Sequence, residues 1–173
     1  MGRFKICTPA NNFLKKIIDM SAVLESSEPR YRLMKLNDLD SVMPIEYLAY
    51  QFPWSEAIFQ DCIKAGYHCW VAELDNVIIG YAVFINAVQE CHLLNLCVNP
   101  KLQGRGLGRK LLSNVLGNAK EYNASCIFLE VRQSNKHAVE LYESEGFNEV
   151  GIRKHYYPSD HGREDALIYA KEL

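Results

Sequence analysis

The densest chemical signal in the sequence is the run Gln103-Gly104-Arg105-Gly106-Leu107-Gly108-Arg109-Lys110. Three alternating glycines between a strand-like and a helix-like stretch let backbone N–H groups approach an anion closely at a helix N-terminus. Arg105, Arg109 and Lys110 add positive charge beside them, so a pyrophosphate is the natural guest. Other phosphate loops fit less well. A P-loop needs a Gly-Lys-Ser/Thr ending, which is missing here. In a dinucleotide fingerprint the third small residue would fall on Arg109, and the stretch from Val98 to Gly104 is long for that tight turn. A plain glycine turn stays open on these residues alone.

Glu130 and Tyr142 are the side chains best suited to move protons. Glu130 alternates with Cys126, Phe128 and Arg132 in a β-forming run. It is either an edge carboxylate paired with Arg132 or a partly buried one able to accept a proton near neutral pH. Asn135, Val139 and Tyr142 fall at i, i+4 and i+7, so one helical face carries all three. Tyr142 is then a core tyrosine or a proton donor. Zinc would have to draw on Cys62, His68, Cys69, Cys91, His92 and Cys97, which contain neither C-x-x-C nor H-x-x-x-H. We expect no metal.

The elements that must hold these groups follow from periodicity and turn chemistry. Residues 30–36 alternate like a strand, and Asn37 and Asp40 open a helix continued by Leu39, Val42, Met43 and Ile45. Phe52-Pro53-Trp54 ends that helix, and Ser55 caps a second that closes at Gly66. Strands over 67–74 and 77–88 flank an Asp75-Asn76 hairpin turn, and a strand over 91–98 stops at Asn99-Pro100. The glycine run opens a helix to about Lys120. A strand over 126–132, a helix over 134–145 closed by Gly146, and a strand over 147–153 follow. Tyr156-Tyr157-Pro158 reads as a loop and 164–171 as the last strand. The order β-α-α-β-β-β-α-β-α-β-β predicts a mixed α/β domain.

Composition bounds the function. The 173 residues, 49% apolar and 23% charged, suit one globular domain. We place it at residues 30–173, with 1–29 as an extension whose short stripe is Phe13, Leu14, Ile17 and Ile18. A formal charge of −2 lacks the basic excess of a general nucleic-acid binder, so no direct nucleic-acid contact is expected. The longest apolar stretch, 77–85, is about half a membrane span, and Ile6 spoils the myristoylation pattern begun by Met1-Gly2. No apolar core of a secretion signal follows Arg3 and Lys5, so the six cysteines read as reduced thiols of a cytoplasmic protein.

Gln103-x-x-Gly106-x-Gly108 resembles the Gln/Arg-x-x-Gly-x-Gly/Ala signature of the GNAT acetyltransferases. Phe52-Pro53-Trp54-Ser55, Leu129-Glu130-Val131-Arg132, Ser134-Asn135, Leu141-Tyr142-Glu143-Ser144, Gly146-Phe147-Asn148, Tyr156-Tyr157-Pro158 and Gly162-Arg163-Glu164-Asp165-Ala166 extend the likeness in register. They are most similar to the bacterial ribosomal-protein-alanine N-acetyltransferase (RimI-type) branch. The resemblance implies an α/β GNAT fold: a mixed, mostly antiparallel central sheet with splayed fourth and fifth strands, flanked by about four helices.

It further implies acetyl-CoA as cosubstrate. Its pyrophosphate would lie on Gln103, Gly104, Arg105, Gly106, Leu107, Gly108 and Arg109, and its arm along Leu96, Cys97 and Val98. That strand edge would point an N–H at the thioester oxygen. By the same likeness Asn135 contacts the cofactor, Glu130 is the general base (directly or through water), and Tyr142 protonates the leaving thiolate. Trp54, Tyr156 and Tyr157 would border the acceptor cleft. Transfer is expected to be direct, in a ternary complex, with Cys97 the thiol nearest the thioester edge. The implied substrate and partner is a protein N-terminus, the N-terminal alanine of a small-subunit ribosomal protein. A broader N-terminal acetyltransferase, a small-molecule amine acetyltransferase and a non-catalytic acyl-CoA sensor are the alternatives. Having both Glu130 and Tyr142 speaks against the sensor.

Overall fold

The structure, a computed structural model, describes residues 28–173. Cys7 and the stripe from Phe13 to Ile18 lie outside the described residues. Strand β1 (Arg30–Leu33) leads through a 3-10 turn (Leu36–Asp38) into α1 (Leu39–Ala49). It ends three residues earlier than its alternation predicts. Asp38 accepts from Lys35 N at 2.6 Å and grips the Arg32 guanidinium at 2.6 and 2.8 Å, which draws the chain into the turn. Helix α2 (Glu56–Lys64) starts where Ser55 Oγ accepts from Ile58 N at 3.4 Å. It stops before Gly66, whose φ of +78° favours a residue without Cβ.

β2 (His68–Leu74) and β3 (Val77–Ala87) are joined by Asp75 and Asn76, both at positive φ as a tight hairpin turn requires. Then come β4 (Glu90–Val98), a 3-10 turn (Pro100–Leu102), α3 (Leu107–Glu121), β5 (Cys126–Arg132), α4 (Lys136–Ser144), β6 (Asn148–Ser159) and β7 (Gly162–Glu172). The seven strands form one sheet in the order β1-β2-β3-β4-β5-β7-β6, antiparallel except between β4 and β5. Strand alternation sends Val71, Tyr81 and Val83 to a core with Val42 and Ile45 of α1 and Phe59 of α2. It sends Ala72, Phe84 and Leu93 to a second core with Leu111 and Val115 of α3 and Tyr142 of α4. Helices therefore cover both faces. This is the α/β GNAT arrangement, with four flanking α-helices among the described residues.

A second expectation needs correction. Tyr156-Tyr157-Pro158 is not a loop but part of β6, paired through Tyr157↔Glu164 and Pro158↔Arg163. The register shifts between Arg153 and Tyr157, where His155 takes φ +51°. β6 is an edge strand of the sheet, and an edge position tolerates a proline without an N–H.

Candidate active site

β4 and β5 pair only from Glu90↔Cys126 to Leu93↔Leu129. Beyond that point they part, and β4 is also irregular opposite Val83 and Phe84. A groove of about 900 Å³ runs from this opening to the start of α3. Leu96, Cys97 and Val98 line one wall, Gln103, Gly104, Gly106, Gly108 and Arg109 one end, and Asn135 and Tyr142 the other wall. Gly104 and Gly106 sit at φ +75° and +76°, and Gly106 is the N-cap of α3. Side chains are strained there, so the loop stays bare beside the first helical turn, whose N–H groups have no intrahelical acceptor. Gln103 Nε2 donates to Val98 O at 2.9 Å and ties the loop to the end of β4.

The other expected cofactor residues divide. Arg109 borders the groove, held by Glu145 and by Ser144 Oγ at 3.0 Å. Asn135 also borders it, while its Oδ1 caps α4 by accepting from Ala138 N at 3.2 Å. Leu107 does not serve by its side chain, which is buried in the core because the helical stripe of α3 begins there. Arg105 is not among the groove-lining residues. A bare positive-φ loop at a helix start, a guanidinium beside it and parted strands at the far end fit a pyrophosphate and a thioester arm.

A second cavity, about 280 Å³, meets this groove at the splay, sharing Tyr50, Leu96, Arg132, Asn135, Ala138 and Tyr142 with it. It is lined further by Glu46, Phe52, Trp54, Glu130 and Tyr157. A third, about 490 Å³, lies beyond Glu130 and is bordered by Trp54, His92, Phe128, Arg153, Tyr156 and Tyr157. The structure thus brings Glu130, Tyr142, Trp54 and Tyr157 to one cavity and places Tyr156 at its outer neighbour. His137 of α4 also borders the groove.

Glu130 is half-buried and pairs with Arg153 Nε at 2.7 Å, while the Tyr156 hydroxyl donates to it. Arg132, the partner considered from sequence, is engaged elsewhere. It donates to Pro158 O at 2.8 Å, lies 3.3 Å from Glu164 and sits 4.4 Å over the Tyr157 ring. Glu164 is held there because it also accepts from Ser134 N at 2.6 Å. Tyr157 donates to Glu130 O at 3.2 Å, and burial pushes its phenol up to about 12. Burial likewise raises the Tyr142 phenol, so it stays protonated at neutral pH. It pushes the Cys97 thiol up to about 12, which leaves that sulfur a poor nucleophile.

Two lining residues escaped the sequence reading. Glu46 is 1% exposed, accepts from Trp54 N at 2.6 Å and from the Tyr81 hydroxyl, and is also bonded by the Asn95 side chain. Burial raises its pKa against those bonds. A signal existed: Glu46 interrupts the apolar stripe Val42, Met43 and Ile45, and a buried carboxylate is costly unless satisfied. Tyr50 donates to Leu96 O at 3.2 Å and lies 3.3 Å from Asn95 Oδ1, a contact no spacing foretells.

Among the described residues no group of three or more His, Cys, Asp or Glu is placed to hold a metal. The zinc candidates are dispersed, with Cys62, Cys69 and Cys97 in one core, Cys91 in the other, and His68 and His92 stacked on Phe84 and Phe128. No helix of the described residues is long and apolar enough to cross a membrane.

Comparison with known proteins agrees with this geometry. The model of the acetyltransferase (GNAT) family matches residues 34–147. The [ribosomal protein bS18]-alanine N-acetyltransferase of Escherichia coli (strain K12) is 38% identical over 137 residues, spanning 79% of this chain and 93% of that protein. A putative enzyme of the same name from Bacillus subtilis (strain 168) is 35% identical over 139 residues, 79% of this chain and 91% of its own length. The crystal structure of the Escherichia coli ribosomal-protein-S18-alanine N-acetyltransferase superposes with a TM-score of 0.79 at 36% identity, covering 84% of this chain and 94% of that one. Ard1 from Thermoplasma volcanium, at 22% identity, shares the fold with a TM-score of 0.77 over 85% of this chain and 99% of its own. The chain belongs to the GNAT family: it is an acetyltransferase that uses acetyl-CoA and is closely related to the bacterial ribosomal-protein-alanine N-acetyltransferases.

Proposed function

We propose that the chain acetylates the N-terminal α-amine of a protein, namely the N-terminal alanine of a small-subunit ribosomal protein, in the cytoplasm. Residues 30–173 act as the catalytic domain, with 1–29 outside it. One observation carries the reading: Glu130 and Tyr142 border a single cavity that joins the cofactor groove to the outer cleft lined by Trp54, Tyr156 and Tyr157. The names of the relatives aligned over nine tenths of their length support the choice of alanine. So does acid–base chemistry. An α-amine titrates near 7.7–8.0 and a lysine near 10.4, so the α-amine is deprotonated at neutral pH at lower cost, by roughly two units.

The residues divide the work. Past Leu93 β4 has no strand partner on its β5 side among the described residues, and there the backbone N–H groups of the stretch Leu96, Cys97 and Val98 steady the carbonyl oxygen as charge develops. When bound, acetyl-CoA supplies the activated acyl group. Glu130 takes a proton from the docked ammonium, directly or through one water, and the amine nitrogen attacks the acetyl carbonyl. As the C–S bond breaks, Tyr142 gives its phenolic proton to the departing sulfur, and the second proton shed by the amine nitrogen passes to solvent, from which the phenol is restored. Glu130 borders both the inner cavity and the outer cleft and is the carboxylate placed to meet a cationic N-terminus.

The test is mass spectrometry of peptides incubated with enzyme and acetyl-CoA. A peptide with a free N-terminal alanine and basic residues downstream is acetylated on its α-amine. Replacing alanine by a large aromatic residue, or blocking the α-amine while leaving lysines free, removes most of the activity. Equal acetylation of lysine in the blocked peptide, or reaction with small polyamines alone, overturns the N-terminal reading. Acetyl-CoA binding with no turnover on any amine would identify a sensor.

A further inference from the structure

We propose that Glu46 is a positioning residue for the acceptor: it locks the loop carrying Trp54 against β3 and β4, and so sets acceptor affinity without touching acetyl-CoA. The inference rests on the acceptor cavity assigned above.

The carboxylate is the meeting point of three elements. Trp54 N, from the loop between α1 and α2, donates to Oε1 at 2.6 Å. The Tyr81 hydroxyl of β3 donates to Oε2, and the Asn95 side chain of β4 adds a third bond. Asn95 lies where β4 shifts register against β3, beside the splay. Its Oδ1 approaches the Tyr50 hydroxyl, which donates to Leu96 O at 3.2 Å. A series of polar contacts therefore runs from the acceptor loop through Glu46, Asn95 and Tyr50 to the strand edge where transfer takes place.

Packing alone does not call for this arrangement. Glu46 occupies the buried stripe of α1 with Val42, Met43 and Ile45, and an apolar side chain of similar volume would fill the site at no desolvation cost. What a carboxylate adds is two acceptor oxygens that hold Trp54 N and Tyr81 at once. The Trp54 ring, packed 5.5 Å from Phe59, is then fixed at both ends of its residue: backbone by Glu46, ring by α2. Without the carboxylate, the Trp54 N–H, the Tyr81 hydroxyl and the Asn95 amide lose a shared partner, and the loop wall shifts relative to β4.

Steady-state kinetics with the alanine peptide and calorimetry with acetyl-CoA test the assignment on the full chain. Glu46→Leu raises the KM for the peptide by about tenfold or more and leaves the acetyl-CoA Kd within about twofold. Glu46→Gln keeps a carbonyl for Trp54 N and recovers most of that loss. Tyr81→Phe leaves the carboxylate with two donors and raises the acceptor KM by a smaller factor. It is the decisive variant if Glu46→Leu does not fold. An unchanged acceptor KM in folded variants overturns the proposal, as does a parallel loss of kcat and acetyl-CoA affinity, which indicates a general structural role. Wild-type enzyme silent on the alanine peptide instead counts against the proposed substrate. The same variants are then compared on whichever amine the enzyme accepts.

Discussion

The cofactor groove and the acceptor cavity meet at Leu96 and Tyr142 but are built on opposite principles. The groove takes its defining features from one short run of sequence, residues 103–109, whose bare backbone turns at positive φ into a helix N-terminus. The acceptor cavity is assembled from side chains of α1, the α1–α2 loop, β4, β5, α4 and β6, reaching from Glu46 to Pro158 along the chain. Its walls are held by pairs and triads: Glu46 with Trp54 and Tyr81, Glu130 with Arg153 and Tyr156, and Arg132 with Glu164 and Tyr157. A backbone cradle tolerates most side-chain changes except at the residues whose φ permits it. A side-chain site is sensitive to single atoms wherever one group satisfies another.

The sharpest break in that comparison is Gly106→Glu. At φ +76° any side chain is strained, and this one brings negative charge to a helix start that favours anions. Calorimetry of the folded variant detects no acetyl-CoA binding. Unchanged affinity would remove the backbone cradle from the account.

On the acceptor side, Glu130→Gln lowers turnover by about 10²–10⁴-fold while acetyl-CoA affinity stays as it was. Tyr142→Phe lowers turnover in the same range, measured at saturating acetyl-CoA. Full activity at pH 7 in either variant denies that residue its proton-transfer role. A loss of acetyl-CoA binding in Glu130→Gln would mean that the two regions are not separable.

The smallest effect concerns the frame around Arg132. Burial alone would raise the Glu164 carboxyl, but bonds from Ser134 and the Arg132 guanidinium outweigh it and hold the group below its usual value. A carboxylate depressed on folding contributes stability above its unfolded pKa and loses it as pH falls through the lower, folded one. Glu164→Gln therefore costs about 1 kcal/mol or less near neutrality. That difference from wild type shrinks once the pH falls below about 4.5. Thermal melts of the two proteins across pH 7 to 3 give the curve. A gap that widens toward acid contradicts the sign.

The division between local and tertiary information explains what could be read in advance. Periodicity and turn residues foretold the order of the eleven strands and α-helices among the described residues, since Asp75-Asn76, Ser55, Gly66 and Gly106 act on their immediate neighbours. They misjudged the end of β1, where a side-chain clasp from Arg32 to Asp38 intervenes, and the extent of β6. In β6 the Tyr156-Tyr157-Pro158 segment, read as a loop, is carried by an edge strand whose partner supplies the remaining order.

By itself the sequence determined a bare backbone loop suited to an anion, because three alternating glycines ahead of a helix are a property of consecutive residues. It also carried Glu130 and Tyr142 as candidates through their family pattern. Only the tertiary structure decided which cation faces Glu130. Arg132 and Arg153 are both in reach of β5, and the carboxylate of Glu164 on β7 claims the first and leaves the second. Only the tertiary structure, too, turned Glu46 from an oddity in an apolar stripe into a bolt across three elements. A side chain's partners are set by the distances that folding creates between residues far apart in the chain, and local spacing carries no record of those distances.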